Sequence, residues 1–269
     1  MKTKSENVNY KTKDDSINAH LAYPEEPGKY PGVIMIHEIF GLDDHTRGVA
    51  DRLAAEGYVV LAPHLFSSNK FSKTLSAENI GIAMKFMMSI PVDKQRDEQY
   101  RANELSKLSE SERNAVEQVN QILFANRPID QLVEYMSAGV DYLHTLERVN
   151  GKIGSMGFCF GGGMSINLGC TGKTGATVIF YGENPSPIDK IKGVNGAVMG
   201  LYGGEDSRIN AGISELTKAL VEYKKPFTIK VFPGAYHAFF NDSRPQHYNK
   251  QAAEEAWQML LRFFKTNLV

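Results

Sequence analysis

A cysteine between two glycines is the residue of this chain best placed for covalent chemistry. It lies in Gly157-Phe158-Cys159-Phe160-Gly161, between an apolar strand-like run and a glycine-rich helical segment. The spacing G-x-nucleophile-x-G is typical of a sharp strand-to-helix turn, because only glycine lets the strand and the helix approach so closely. The N-terminus of the following helix favours negative charge at this turn. We therefore predict that Cys159 is a nucleophile.

A carboxylate and a histidine follow in the order that such a turn requires, which is nucleophile, acid and histidine. Asp206 comes after a predicted strand at 196–202, and His237 comes after another at 227–232. Because parallel strands end at one edge of a sheet, we expect both side chains to lie near the cysteine. The histidine would take the thiol proton and later activate water, while the acid orients the ring. Glu205 is an alternative to Asp206 as the acid.

Other polar residues favour no metal and no cofactor. Cys170 is expected to be a small buried side chain without a catalytic role. His37-Glu38 ends the first buried strand, where a zinc motif would need a second histidine at position 41, and the residue there is Gly41. A solvated polar strand end is the alternative for this pair. The glycines around Cys159 do not have the G-x-G-x-x-G spacing of a dinucleotide site.

The elements that must position these residues alternate between strand and helix. Unbroken apolar runs indicate parallel strands buried on both faces. After an edge hairpin at 7–23, strands are predicted near 31–36, 58–62, 152–158, 176–181, 196–202 and 227–232, and helices near 43–56, 129–146, 161–170, 210–223 and 246–265. Residues 66–126 are polar and helix-prone, and we interpret them as a helical insertion or lid. The prediction is one doubly wound α/β domain over residues 1–269, with a mostly parallel sheet.

Composition excludes several kinds of partner. The 269 residues are 42% hydrophobic and 23% charged, with a formal net charge of -1. No dense basic run favours nucleic acid, and no segment has the roughly 20 apolar residues that span a bilayer. Two cysteines cannot build a disulfide framework, and the N-terminus does not resemble a secretory signal. We expect a cytoplasmic protein, a monomer or small homo-oligomer, that acts on a small molecule.

Four segments together resemble the dienelactone hydrolase family (carboxymethylenebutenolidases) of the α/β-hydrolase superfamily. They are His37-Glu38-Ile39-Phe40-Gly41, Gly157-Phe158-Cys159-Phe160-Gly161, Gly204-Glu205-Asp206 and Gly234-Ala235-Tyr236-His237. The resemblance covers most of the chain outside 66–126. It implies the α/β-hydrolase fold and a catalytic triad of Cys159, Asp206 and His237.

The resemblance also implies roles for the residues around the triad. Glu38 would pair with the cysteine thiol and help it to ionise when substrate arrives. The backbone N–H groups of Ile39 and Phe160 would form the oxyanion hole, which agrees with the general rule that the residue after the nucleophile supplies one donor.

Family members that take dienelactone bind its carboxylate through arginines and a tyrosine. Here Arg96 and Tyr100 have suitable spacing within the insertion, and Arg244 follows the catalytic histidine at a greater distance than in the dienelactone enzymes. Arg244 is equally well interpreted as a structural residue that caps the last helix.

The predicted function is hydrolysis of an activated ester or lactone through an acyl-enzyme. A thioesterase or a general carboxylesterase on the same scaffold is the first alternative. The second is a redox-sensing protein in which the cysteine is oxidised reversibly and nothing is turned over.

Overall fold

The computed structural model describes residues 1–91, 94 and 97–269. Within these residues, eight strands form one sheet in the order β1-β2-β4-β3-β5-β6-β7-β8. The strands are β1 (Thr3–Lys11), β2 (Ser16–Pro24), β3 (Tyr30–Ile36), β4 (Val59–Pro63), β5 (Val149–Phe158), β6 (Ala176–Phe180), β7 (Ala197–Gly203) and β8 (Phe227–Phe232). β2 is antiparallel to β1 and to β4, and every pairing from β4 to β8 is parallel. The predicted mostly parallel α/β sheet is confirmed.

Helices connect the strands along the chain. They are α1 (Asp44–Ala55), α2 (Ala77–Ser89), α3 (Glu98–Ser106), α4 (Glu110–Asn120), α5 (Ile129–Thr145), α6 (Phe160–Gly169), α7 (Ser207–Asn210), α8 (Ile213–Glu222) and α9 (Lys250–Leu268), with a π-helical turn at Gln121–Ala125 and a 3₁₀ turn at Ile188–Gly193. The helix predicted at 210–223 is α8, and the short helix α7 precedes it before the turn at Gly212. Within the described residues, no helix combines the length and the apolar character needed to cross a membrane.

Side chains alternate between two apolar clusters along the strands. On β6, Val178 and Phe180 pack with residues of α1 and α9, while Ile179 packs with residues of α6 and α8. A strand whose two faces are both covered takes apolar residues at most positions, which explains the nearly continuous runs in the sequence. The strand ends are therefore the places where polar side chains can reach solvent or substrate.

The chain divides into two compact units. One contains the whole sheet and comprises Met1–Leu65 and Ile129–Val269; the other is Phe66–Pro128. The second unit contains α2, α3 and α4, and it has an apolar cluster of its own around Phe86, Ile90 and Val116. The described residues of the predicted insertion at 66–126 thus contain helices and no strand of the sheet.

Candidate active site

Cys159 lies at a strained turn between β5 and α6. Its φ of 55° and ψ of −116° are unusual for a residue with a side chain. The turn is fixed by a hydrogen bond of 3.0 Å from the Cys159 N–H to the Phe180 carbonyl. A Cβ atom at Gly157 would collide with the backbone of Gly161, and one at Gly161 would collide with the carbonyl of Ile36. Both glycines are required, and the cysteine side chain is left only partly buried.

Asp206 and His237 are joined by a short hydrogen bond. Asp206 follows β7, and its two carboxylate oxygens have separate partners. One oxygen accepts from the Ile209 N–H at 3.4 Å and caps α7, and the other accepts from Nδ1 of His237 at 2.5 Å. Asp206 is buried, whereas the neighbouring Glu205 is exposed. The structure therefore brings Asp206, rather than Glu205, to the histidine.

The charges of these groups depend on one another. Burial alone would raise the pKa of Asp206, but the hydrogen bond and the charge of His237 outweigh burial and lower it. Burial alone would lower the pKa of His237, but the hydrogen bond to Asp206 and the interaction with the Cys159 sulfur raise it to about 10. The carboxylate of Asp206 and the sulfur of Cys159 therefore both favour the protonated form of the His237 imidazole.

Glu38 is buried beyond the end of β3, and its charge is balanced by Arg244. Oε2 of Glu38 lies 2.8 Å from Nη2 of Arg244, and Oε1 accepts from the side-chain amide of Asn241 at 3.4 Å. Asn241 is itself held by Ser243, whose N–H and hydroxyl both donate to its side-chain oxygen. Over the described residues, no hydrogen bond joins Glu38 to Cys159. The carboxylate expected to pair with the thiol is thus paired with an arginine.

Arg244 does not cap the last helix. The cap of α9 is Asn249, whose side-chain oxygen accepts from the Ala252 N–H at 3.1 Å. The guanidinium of Arg244 instead contacts Glu38, and its side chain remains 35% exposed. The capping alternative was wrong, because the loop after β8 continues to Asn249 before the helix begins. A substrate contact by Arg244 stays a prediction.

His37 is fully buried, so the alternative of a solvated strand end was wrong. Both ring nitrogens face backbone groups: Nδ1 lies 2.6 Å from the Glu38 carbonyl, and Nε2 accepts from the Leu65 N–H at 3.3 Å. Burial lowers the pKa of His37 to about 4. The ring is therefore neutral with its proton on Nδ1. The hydrogen bonds of the His37 ring hold the backbone at Glu38 in place.

The two predicted oxyanion donors are backbone groups in the turns that follow β3 and β5. Ile39 follows Glu38 in the turn after β3, and its N–H has no acceptor within the described part of the chain. Phe160 is the first residue of α6, where backbone N–H groups point along the helix axis toward the turn. The ring of Phe160 stacks on that of His37, with 6.0 Å between the centroids.

Tyr181 is a site residue that sequence reasoning missed. It follows β6 with a φ of 39°, and its ring meets the ring of His237 edge to face at 5.1 Å. Its buried hydroxyl has no hydrogen-bond partner among the described residues. Burial, and then the charges of Glu38 and Cys159, hold its pKa well above the usual value. Its place directly after a strand at the same edge was the available signal.

The structure does not test the two predicted substrate residues of the insertion. Arg96 lies outside the described residues. Tyr100 belongs to the helical unit, where it packs against the cluster of Phe86, Ile90 and Val116. Both remain predictions.

The sheet order, the cysteine at the turn after β5, and the acid and histidine after β7 and β8 define an α/β-hydrolase. Comparison with known proteins identifies the family. Residues 17–268 match the model of the dienelactone hydrolase family. The chain belongs to this family, and it is a hydrolase of the dienelactone hydrolase type.

Relatives extend over nearly the whole chain. A protein of Saccharolobus solfataricus named "Putative carboxymethylenebutenolidase" is 39% identical over 256 residues, which are 95% of this chain and 96% of the relative. A similar protein of Synechocystis is 32% identical over 266 residues, 94% of this chain and 92% of the relative. The crystal structure of a dienelactone hydrolase from Anabaena variabilis has a TM-score of 0.67 at 16% identity, covers all of both chains, and supports the fold alone.

Proposed function

We propose that this enzyme hydrolyses an activated ester or lactone, with Cys159 as nucleophile, His237 as acid and base, and Asp206 as the residue that orients the histidine. The observation that carries the proposal is the 2.5 Å hydrogen bond between Asp206 and Nδ1 of His237, beside a partly buried sulfur at a strained turn. This bond leaves Nε2 of His237 as the nitrogen available for proton transfer.

The reaction has two halves. In the first, the Cys159 sulfur, its proton held by His237, attacks the substrate carbonyl carbon, and the N–H groups of Ile39 and Phe160 stabilise the resulting oxyanion. The carbon–oxygen bond to the leaving group then breaks, and His237 supplies the proton. In the second half, water gives a proton to His237 and attacks the thioester carbonyl. The carbon–sulfur bond breaks, the acid is released and the sulfur is restored.

The sulfur nucleophile selects for substrates with good leaving groups. A thiolate leaves a tetrahedral intermediate more readily than an ordinary alkoxide, so the intermediate reverts unless the substrate's own leaving group is stabilised. Enol lactones and aryl esters meet this condition. A panel of aryl esters, enol lactones, alkyl esters and thioesters would separate this function from that of a general carboxylesterase or a thioesterase.

The pairing of Glu38 with Arg244 supports a preference for anionic substrates. A carboxylate on the substrate would compete with Glu38 for the partly exposed guanidinium of Arg244. Glu38 would then lose its counter-charge and become a second acceptor for the thiol proton, which His237 otherwise holds. This step links substrate binding to activation of the nucleophile.

The test is a comparison of Cys159→Ala with Cys170→Ala. We expect Cys159→Ala to lose at least about 10²-fold in kcat/KM on an aryl ester, since even one missing oxyanion donor costs that much elsewhere. The wild-type enzyme should show an acyl adduct by intact mass spectrometry, which Cys170→Ala retains and Cys159→Ala lacks. Equal rates for Cys159→Ala and the wild type would exclude the covalent mechanism.

A further inference from the structure

His45 is a buried histidine outside the triad. It lies in the first turn of α1, and its side chain is 2% exposed. Nδ1 lies 3.2 Å from Oδ1 of Asp242, a residue of the loop after β8. Because an ionised carboxylate can only accept a hydrogen bond, Nδ1 carries the proton of this bond. Nε2 is buried and has no hydrogen-bond partner within the described residues, so the bond to Asp242 is the polar contact that orients the ring.

Two aromatic rings hold the imidazole of His45 in place. The ring of Phe158 meets it edge to face at 5.6 Å, and the ring of Phe240 meets it in the same way at 6.3 Å. Phe158 directly precedes Cys159, and Phe240 directly precedes Asn241. The histidine therefore packs against both segments that lead into the candidate site.

Asp242 and Arg244 carry opposite charges within one tight turn. The Arg244 N–H donates to the Asn241 carbonyl at 3.2 Å, so the chain reverses around Asp242. Over the part of the chain that the structure describes, no ion pair joins the two side chains, since Asp242 contacts His45 and Arg244 contacts Glu38. The side chain of Asp242 is 61% exposed. The bond to the imidazole is thus the contact that holds this carboxylate on α1, away from the guanidinium.

We propose that His45 is a positioning residue that prevents Asp242 from neutralising Arg244. This role rests on the proposed function, in which the guanidinium binds the carboxylate of an anionic ester. A carboxylate from the same turn would compete with that of the substrate, because both need the same N–H donors of the guanidinium. By holding Asp242 on α1, His45 leaves the exposed part of Arg244 to the substrate and preserves selectivity for anionic esters.

The test measures selectivity, which is kcat/KM for an aryl ester that carries a carboxylate divided by kcat/KM for its neutral counterpart. His45→Leu removes the hydrogen-bond donor with little change in volume, and selectivity should fall about two- to fivefold, as expected for competition by an exposed ion pair. Asp242→Asn removes the competing charge, so selectivity should be unchanged in this variant and restored in the double variant. A purely structural role for the bond predicts instead the same loss in both single variants.

Two further variants separate positioning from folding. His20→Leu is the matched control, because it breaks another contact between a buried histidine and α1, in which Nε2 of His20 lies 2.8 Å from Oδ1 of Asp51. It should leave selectivity unchanged. His45→Phe keeps an aromatic ring against Phe158 and lacks the donor, so it should lose as much selectivity as His45→Leu.

A crystal structure of His45→Leu tests the same role without a measurement of activity. It should show the Asp242 carboxylate within about 4 Å of the Arg244 guanidinium. An Asp242 side chain that stays away from Arg244 would overturn the inference, and so would a selective loss in Arg244→Gln that His45→Leu does not share. Absence of ester hydrolysis in the wild type, or equal losses on both esters in Arg244→Gln, would contradict the proposed function and this role together.

Discussion

Two buried carboxylates lie at the same edge of the sheet, on either side of the strand that carries Cys159. Glu38 follows β3 and Asp206 follows β7, with β5 and β6 between them in the sheet. Asp206 is bound to His237, a group that can gain or lose a proton. Glu38 is bound to Arg244, whose charge is permanent. The comparison teaches that the partner, and not burial, decides what a buried carboxylate can do.

The partners give the two acids different chemistry. A carboxylate bound to a histidine holds the ring in one tautomer and stabilises its charged form, so it acts throughout the reaction. A carboxylate bound to an arginine is neutralised until something displaces the arginine. Asp206 is therefore expected to affect every substrate, and Glu38 to affect most strongly those substrates that contact Arg244.

The largest effect should come from Asp206→Asn. An amide at this position can donate to Nδ1 of His237, which moves the ring proton to Nε2 and removes the base that faces the sulfur. We expect kcat/KM for an aryl ester to fall about 10³- to 10⁴-fold with little change in fold. Glu205→Gln alters the exposed neighbouring acid and serves as control. A similar loss in both variants would mean that Glu205 shares the role.

The next largest effect concerns the contribution of Glu38 to stability. Glu38→Gln leaves Arg244 without its counter-charge, so we expect a loss of about 1–2 kcal/mol in the free energy of unfolding, less than for a fully buried pair because Arg244 is partly exposed. Arg244→Gln should cost a similar amount, and the double variant should cost less than the sum of the two. Urea unfolding measures all three. Strict additivity would show that the pair is not coupled.

Kinetics should separate the two acids further. The loss of kcat/KM in Arg244→Gln is expected to be larger for an ester that carries a carboxylate than for its neutral counterpart. Asp206→Asn should reduce both to the same extent. An Arg244→Gln variant with equal losses on both esters would remove the proposed substrate contact and leave only a structural role.

Parts of this arrangement could be predicted from the sequence because they repeat or are local. Apolar runs predicted the buried strands, and the glycine spacing predicted the turn at Cys159, since backbone contacts there forbid any side chain. The contact between Glu38 and Asn241 could not be predicted in this way. It joins residues 203 positions apart through a loop without periodicity.

The burial of polar residues was the other feature that could not be predicted from the sequence. A solvated strand end was one interpretation of the pair His37 and Glu38, because polar residues usually lie there. His37 is buried because the Glu38 carbonyl and the Leu65 N–H satisfy both ring nitrogens, and a sequence does not show such backbone partners. Tyr181 was overlooked for the opposite reason, since an aromatic residue at the end of an apolar strand resembles ordinary core.

The pH dependence of stability is expected to be a smaller effect. It concerns His237, the partner of Asp206, and not Glu38. The pKa of His237 is raised from 6.5 to about 10 in the folded state. Its contribution to stability is therefore complete below about pH 6.5 and is lost as the pH rises toward 10. Wild-type stability from urea unfolding should decline across this window, and that of His237→Gln should decline less. In Cys159→Ala the window should be narrower, because the sulfur is one of the groups that raise this pKa. Equal slopes in all three would contradict the assignment.

The smallest effect should come from Tyr181→Phe, which tests the residue between the two acids. Its hydroxyl is buried and makes no hydrogen bond within the described residues, so the variant should unfold with a free energy within about 1 kcal/mol of the wild type, or slightly above it. The ring, which contacts His237, is kept. Rates on neutral and anionic esters then show what the hydroxyl does. Unchanged rates on both would make Tyr181 a packing residue, whereas a loss confined to the anionic ester would place the hydroxyl with Glu38 and Arg244. A loss on both would place it with the triad.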